Sequence, residues 1–208
     1  MKRIAESTVR RLSAYLRFLE ESGEKGVETI SSEALARRGG TTSAQVRKDL
    51  SFFGSFGKRG LGYSVQELIS SLRSILGLER EWSVIIVGAG KIGMALGQYH
   101  GFEQRGFRVS AVYDTDPKKV GTRWGTIHVR DMAQVERDIA SNKPDIAVLA
   151  VPVSQAQDAA NRLVRAGLKA ILNFAPTQLQ TPHDVSVRNV NMAMELEGLS
   201  FILSNRER

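Results

Sequence analysis

The chain has no cysteine at all and only three histidines, five prolines and 7% aromatic residues. Without cysteine there is no disulfide, no thiolate nucleophile and no Cys-ligated zinc. A thiol-free chain suits the cytoplasm, where we expect it. No apolar run approaches the ~20 residues that span a bilayer. The opening MKRIAESTVRRLSAYL scatters charge through its length and is not a secretory signal, so no membrane is expected as a partner. His100, His128 and His183 stand apart from one another and from any acid at ligand spacing. Each is read as structural, and no metal site and no catalytic residue are expected.

What is present is ordinary for a globular protein: 208 residues, 42% hydrophobic and 25% charged, enough for one large domain or two small ones. The net charge of +7 is placed unevenly. Residues 1–80 hold 14 Lys and Arg against 9 Asp and Glu, the remainder 15 against 13. A basic surplus on a small domain suits a polyanionic partner; a solvated basic surface fits the charge equally well.

Residues 8–20, TVRRLSAYLRFLE, put Val9, Leu12, Leu16 and Leu19 at helical spacing. Gly23 and Gly26 are expected to break that helix. Ser31-Ser32 opens a second, EALARR, which Gly39-Gly40 ends. Thr42-Ser43-Ala44-Gln45 fits a capping box, in which Thr42 caps the first turn and Gln45 reaches back. The helix it opens has Val46, Leu50 and Phe53 inside and Gln45, Arg47, Lys48 and Ser51 outside. Helix, short helix, glycine turn, helix is the order of a helix-turn-helix, whose last helix reads bases with residues of this type. GSFGKRGLGY, residues 54–63, has four glycines in ten. Phe56, Leu61 and Tyr63 are expected to anchor a hairpin, leaving Lys58 and Arg59 at a basic tip for phosphates or a narrow minor groove. A glycine-rich turn with solvated charges is the plainer reading of that stretch alone. With the helices it makes a winged helix. Ser64-Val65-Gln66-Glu67 caps a further helix to about Leu76, and the polar connector GLEREW (77–82) marks the boundary.

Beyond it, strand-like runs at 83–87, 108–114, 145–151, 169–174 and 184–190 alternate with helical ones, the pattern of a parallel sheet covered on both faces. One helix is expected to be capped by Ser154 with Gln157. The first strand runs into VGAGKIG, and the next ends in Asp114. In a Rossmann turn Gly88 permits the tight bend, Gly90 the close approach of a pyrophosphate and Gly93 the packing of helix on sheet. Asp114 would accept from the adenosine ribose and repel a 2′-phosphate, which favours NAD(H). The expected fold is therefore α/β: a winged-helix domain (1–78), a Rossmann domain (79–190) and a C-terminal helix (191–208). That helix carries Met192, Leu196, Leu199, Phe201 and Ile202, apolar enough to need burial on its own domain or on a second subunit.

An NAD-dependent oxidoreductase with a helical appendage remains a competing reading, as does a constitutive DNA-binding protein with a vestigial Rossmann domain. No substrate domain and no acid/base constellation support the enzyme.

In this order, TTSAQVRKDLSFFGSFGKRGLGY, VGAGKIG, VYDTDP, LAVP and ILNFAP resemble the Rex family of redox-sensing transcriptional repressors, over residues 8–204. The first of these blocks is specific to the family; the glycine motif alone is not. The resemblance implies a homodimer, with the C-terminal helix swapped onto the partner, that represses transcription from palindromic operator DNA. NADH would release the DNA and NAD⁺ compete with NADH, each as effector and neither consumed. By position, Thr42, Ser43, Gln45, Arg47, Lys48 and Ser51 would face the major groove, and Lys58, Arg59 and Gly60 the minor groove or phosphates. Gly88, Ala89, Gly90, Lys91, Ile92 and Gly93 would hold the pyrophosphate and Asp114 the ribose. Val151, Pro152 and Tyr99 would lie towards the nicotinamide. The family's pattern also implies a polar switch matching Arg17, Tyr99 and Asn191. Two positions depart from it. Lys91 stands where Asn or Arg is usual, and Asn191 where Asp is usual, so the charged form of the switch is missing. A paralogue that binds DNA with little NADH response is the reading this second departure opens.

Overall fold

The computed structural model describes residues 4–57 and 61–205. The chain forms two compact units, Met1–Arg80 and Glu81–Arg208.

In the first unit α1 (Glu6–Glu24) buries Leu12, Tyr15, Leu16 and Leu19, a stripe at i, i+3, i+4 and i+7. Val9, expected on that stripe, is 37% exposed. Gly23 does not break the helix. A side chain there would press on Gln66, Ile69 and Val65, so this glycine permits close packing, and the turn comes at Gly26 with φ 75°. β1 (Thr29–Ile30) leads to α2 (Ser32–Arg38), capped by the Ser31 hydroxyl, which accepts from the Ala34 N–H at 3.1 Å. In α3 (Ser43–Ser51) Thr42 is the cap and accepts from the Gln45 N–H at 3.2 Å. The returning half of the expected capping box is absent, because the Gln45 side chain is committed to Asp49 instead. β2 (Tyr63–Ser64) pairs antiparallel with β1 and runs into α4 (Val65–Ile75). Val46, Leu50, Leu35, Leu68 and Leu72 complete the core with the α1 stripe. Tyr63 is buried and Phe56 packs on this core, but Leu61 is 71% exposed and anchors nothing. Gly62, at φ 81° and pressed on the Ile30 carbonyl, reverses the chain between Leu61 and Tyr63.

The second unit contains β3 (Trp82–Val87), α5 (Lys91–Gly97), β4 (Phe107–Asp114), β5 (Arg123–Trp124), β6 (Ile127–Asp131) and α6 (Val135–Asn142), then β7 (Ile146–Leu149), α7 (Val153–Arg165), β8 (Ala170–Asn173), β9 (Ser186–Asn189) and α8 (Met192–Ser204). The sheet order is β5-β6-β4-β3-β7-β8-β9, parallel except for β5 against β6. Leaving out the two-residue β5, this is the doubly wound order, with its reversal between β3 and β7. β3 is apolar on both faces. Val84 and Ile86 pack with Val112, Val129 and Val148, while Ile85 and Val87 pack with Tyr113, Leu149 and Leu163. β5 and β6 were not anticipated, since TIHV is too short and too exposed to carry a strand signal. α7 begins at Val153 after an extended Pro152, and Ser154 does not cap it. Gln157 bonds the backbone of Gln180 in both directions at 2.9 Å. No helix among the described residues is long and apolar enough to cross a membrane.

Candidate dinucleotide cleft and nucleic-acid interface

Where the strand order reverses, the carboxyl ends of β3, β4 and β7 open a cleft of about 450 Å³. An open α/β sheet binds its ligand at such a point. The backbone follows the division of labour expected of the three glycines. Gly88, at φ 105°, lies so close to the Ala150 carbonyl that no side chain fits, and a side chain on Gly93 would strike the Gly88 carbonyl. Nothing stands within 4 Å of a side chain added at Gly90. The space it would fill is open, and Gly90 lines the cleft.

Asp114 closes one side, 9% exposed. Its Oδ2 accepts from the Ala89 N–H at 2.7 Å and the Lys119 ammonium at 3.2 Å, and its Oδ1 accepts from the Asp116 N–H at 2.8 Å. Burial pushes this carboxyl up. The two backbone donors and Lys119 outweigh it and hold the group below its ordinary value, so it is an anion that still has an acceptor position on Oδ1.

Of the residues expected at the dinucleotide, Gly88, Gly90, Asp114, Val151 and Pro152 line the cleft. Gly93 is buried beneath it, and Lys91 and Ile92 are exposed in the first turn of α5. Tyr99 is not in the lining. It is 60% exposed and stacks edge-on against Phe102, ring centres 5.2 Å apart. Sequence reasoning missed Lys119, Met132, Gln155, Asp158 and Arg162, which also line the cleft. The Arg162 guanidinium is clamped by Glu136 at 2.7 and 2.6 Å and donates to the Met132 carbonyl at 2.9 Å, tying α7 to α6. The signal that points to these residues is position: they follow the carboxyl ends of β4 and β6 or lie in the first three turns of α7.

In the first unit α3 presents exposed Arg47, Lys48 and Ser51, with Thr42 exposed and Ser43 half-buried at its start. Arg47 donates to the Ser32 hydroxyl at 3.1 Å, and the Ser51 hydroxyl donates to the Lys48 carbonyl at 2.8 Å. Lys58, Arg59 and Gly60 lie outside the described residues. Gln45 is half-buried, not on the outer face as expected, because its amide is drawn to the buried Asp49. Arg17 is exposed on α1.

Comparison with known proteins agrees with this division. Residues 3–51 match the family model described as "Putative DNA-binding protein N-terminus", and residues 79–177 match the CoA binding domain model. The redox-sensing transcriptional repressor Rex of Carboxydothermus hydrogenoformans is 47% identical over 96% of this chain and 96% of its own length. The protein of that name in Syntrophomonas wolfei is 45% identical over 99% and 98%. The chain belongs to the Rex family of redox-sensing transcriptional repressors. The crystal structure of RSP in complex with β-NAD⁺ and operator DNA superposes with a TM-score of 0.94 at 42% identity, covering 100% of this chain and 95% of that one. RSP in complex with β-NADH gives 0.91 at 40% identity, covering 100% and 97%. The Rex fold thus accounts for both units, and the family match excludes the oxidoreductase reading.

Proposed function

We propose that this Rex-family chain is a repressor that binds operator DNA and senses the NADH/NAD⁺ ratio, with the dinucleotide as effector and not as substrate. The observation that carries this is a complete dinucleotide turn in a chain that also holds a helix-turn-helix. The glycines at 88, 90 and 93, the anionic Asp114 and the open cleft stand together in the second unit. The complexes of RSP with β-NAD⁺ and operator DNA and with β-NADH support it.

In this reading Gly88, Ala89, Gly90, Lys91, Ile92 and Gly93 hold the pyrophosphate, Asp114 the ribose, and Val151 and Pro152 the nicotinamide end, with Tyr99 near it. Thr42, Ser43, Gln45, Arg47, Lys48 and Ser51 face the major groove, with Lys58, Arg59 and Gly60 on the minor groove or phosphates. The protein works as a homodimer on a palindromic site in the cytoplasm. α8 supports the dimer: it has no buried residue, and Phe201, Leu196 and Met192 are each about two-thirds exposed or more. An apolar helix of this kind is covered by a second protomer when it is swapped. Asn191, the proposed switch partner of Arg17 and Tyr99, caps α8 by accepting from the Ala193 and Met194 N–H groups.

NADH can displace DNA only by its difference in affinity for the two conformations, and DNA must weaken NADH binding by the same factor. Fluorescence anisotropy on a palindromic duplex at fixed salt tests the proposal. Release by NADH and retention with NAD⁺ are expected. Equal binding in all conditions would leave a DNA-binding protein without a redox input.

A further inference from the structure

The Gln45 side chain has an orientation that its neighbours fix chemically. Asp49 is 0% exposed, and its carboxylate has a donor for each of its four lone-pair positions. Oδ2 accepts from Arg11 Nε at 2.7 Å and from the Tyr15 hydroxyl at 3.1 Å. Oδ1 accepts from Arg11 Nη2 at 2.7 Å and from Gln45 Nε2 at 2.8 Å. An ionised carboxylate only accepts, so the Gln45 atom facing it is the nitrogen. Turning the amide over would set its oxygen against the carboxylate and leave one Asp49 position empty inside the fold. What Gln45 has left is its carbonyl Oε1 and a single N–H. It stands in the first turn of α3, the part of a recognition helix that reaches base edges.

We infer that Gln45 offers Oε1 to the major groove and reads a base carrying an exocyclic amine, adenine through N6 or cytosine through N4, with Asp49 as the positioning residue that forbids the opposite reading. This rests on the assignment of α3 to DNA reading. Guanine, with O6 and N7, and thymine, with O4, present only acceptors in that groove and would set oxygen or nitrogen lone pairs against Oε1. An unpinned glutamine turns over to suit either kind of base, and this one does not. The remaining N–H of Gln45 separates the two amine-bearing bases, since adenine N7 can accept it and cytosine has no acceptor beside N4.

The test starts from a duplex that the wild-type protein enriches from a randomised pool, with anisotropy as readout. Each adenine of a half-site is replaced in turn by nebularine, which lacks the N6 amine, and each cytosine by its analogue lacking the N4 amine. At one position per half-site, amine loss should weaken wild-type binding about tenfold and leave Gln45→Ala binding unchanged. 7-Deazaadenine at that position should weaken binding further if the base is adenine. Asp49→Asn, checked for folding by circular dichroism, should lose discrimination at that position and keep it elsewhere, which a merely structural role for Asp49 would not produce. If every amine dependence survives in Gln45→Ala, or if the position coupled to Gln45 is guanine or thymine on both strands, the inference is overturned. A wild-type protein that enriches no duplex at all instead overturns the assignment of α3 to DNA reading, and this inference with it.

Discussion

The two units each bury an aspartate and hold it ionised, yet the two carboxylates do opposite work. Asp49 in the first unit is satisfied by three side chains, Arg11, Tyr15 and Gln45, and has no acceptor position to spare. Asp114 in the second unit is held mainly by backbone, the Ala89 and Asp116 N–H groups, with Lys119 at its edge, and it borders an open cleft. Both lie below the ordinary carboxyl value because donors outweigh the upward push of burial. A saturated carboxylate fixes the shape of its neighbours, whereas one with a free position can bind. A lowered pKa alone does not tell the two apart; the donor count and the cavity do.

The largest effect expected is from Asp49→Ala. It leaves the Arg11 guanidinium without its partner and should destabilise the first unit by about 3–5 kcal/mol. The measurement is hydrogen exchange of α1 and α3 amides, with NADH binding by the second unit retained. The same aspartate sets an acid limit. Its folded pKa lies below 3.8, so its contribution to stability is present above that pH and is lost as pH falls through the folded value. Asp49→Asn should flatten that acid limb in a pH-dependent denaturation series; an identical limb would show that Asp49 is not the group responsible.

In the other unit the changes should act on ligand before stability. Gly90→Val fills the open space at the turn and should abolish NADH binding in calorimetry while operator binding without ligand persists. Asp114→Asn keeps the shape and removes the charge. NADH affinity should fall by about 1–2 kcal/mol, the scale of a hydrogen bond to a charged group, and NADPH should gain relative to NADH. Unchanged selectivity between the two would remove Asp114 from the ribose. The smallest effect on stability is expected from Asn191→Asp, since either residue caps α8. Its consequence is functional: the restored charge should steepen NADH release of DNA, and an unchanged release curve would show that position 191 does not set the coupling.

The sequence by itself determined the element order, the two-unit division and the glycine turn. Local rules govern each of these: the stripe of Leu12, Leu16 and Leu19, the Ser31, Thr42 and Ser64 caps, and the φ of Gly88. Family resemblance in the TTSAQVRKDLSFFGSFG and VGAGKIG blocks then supplied what local rules cannot, the function. Tertiary structure decided the rest, because it depends on partners distant in the chain. Leu61 faces outward because Gly62 packs on Ile30, from the other strand of the small sheet. Gly23 sits within α1 because α4 comes close there. Arg162 reaches the cleft through a clamp by Glu136, 26 residues earlier. Gln45 has the spacing of an outward reader and of a capping-box residue. Only the arrival of Arg11 and Tyr15 beside Asp49, 38 and 34 residues apart in sequence, saturates that carboxylate and decides which way the Gln45 amide turns.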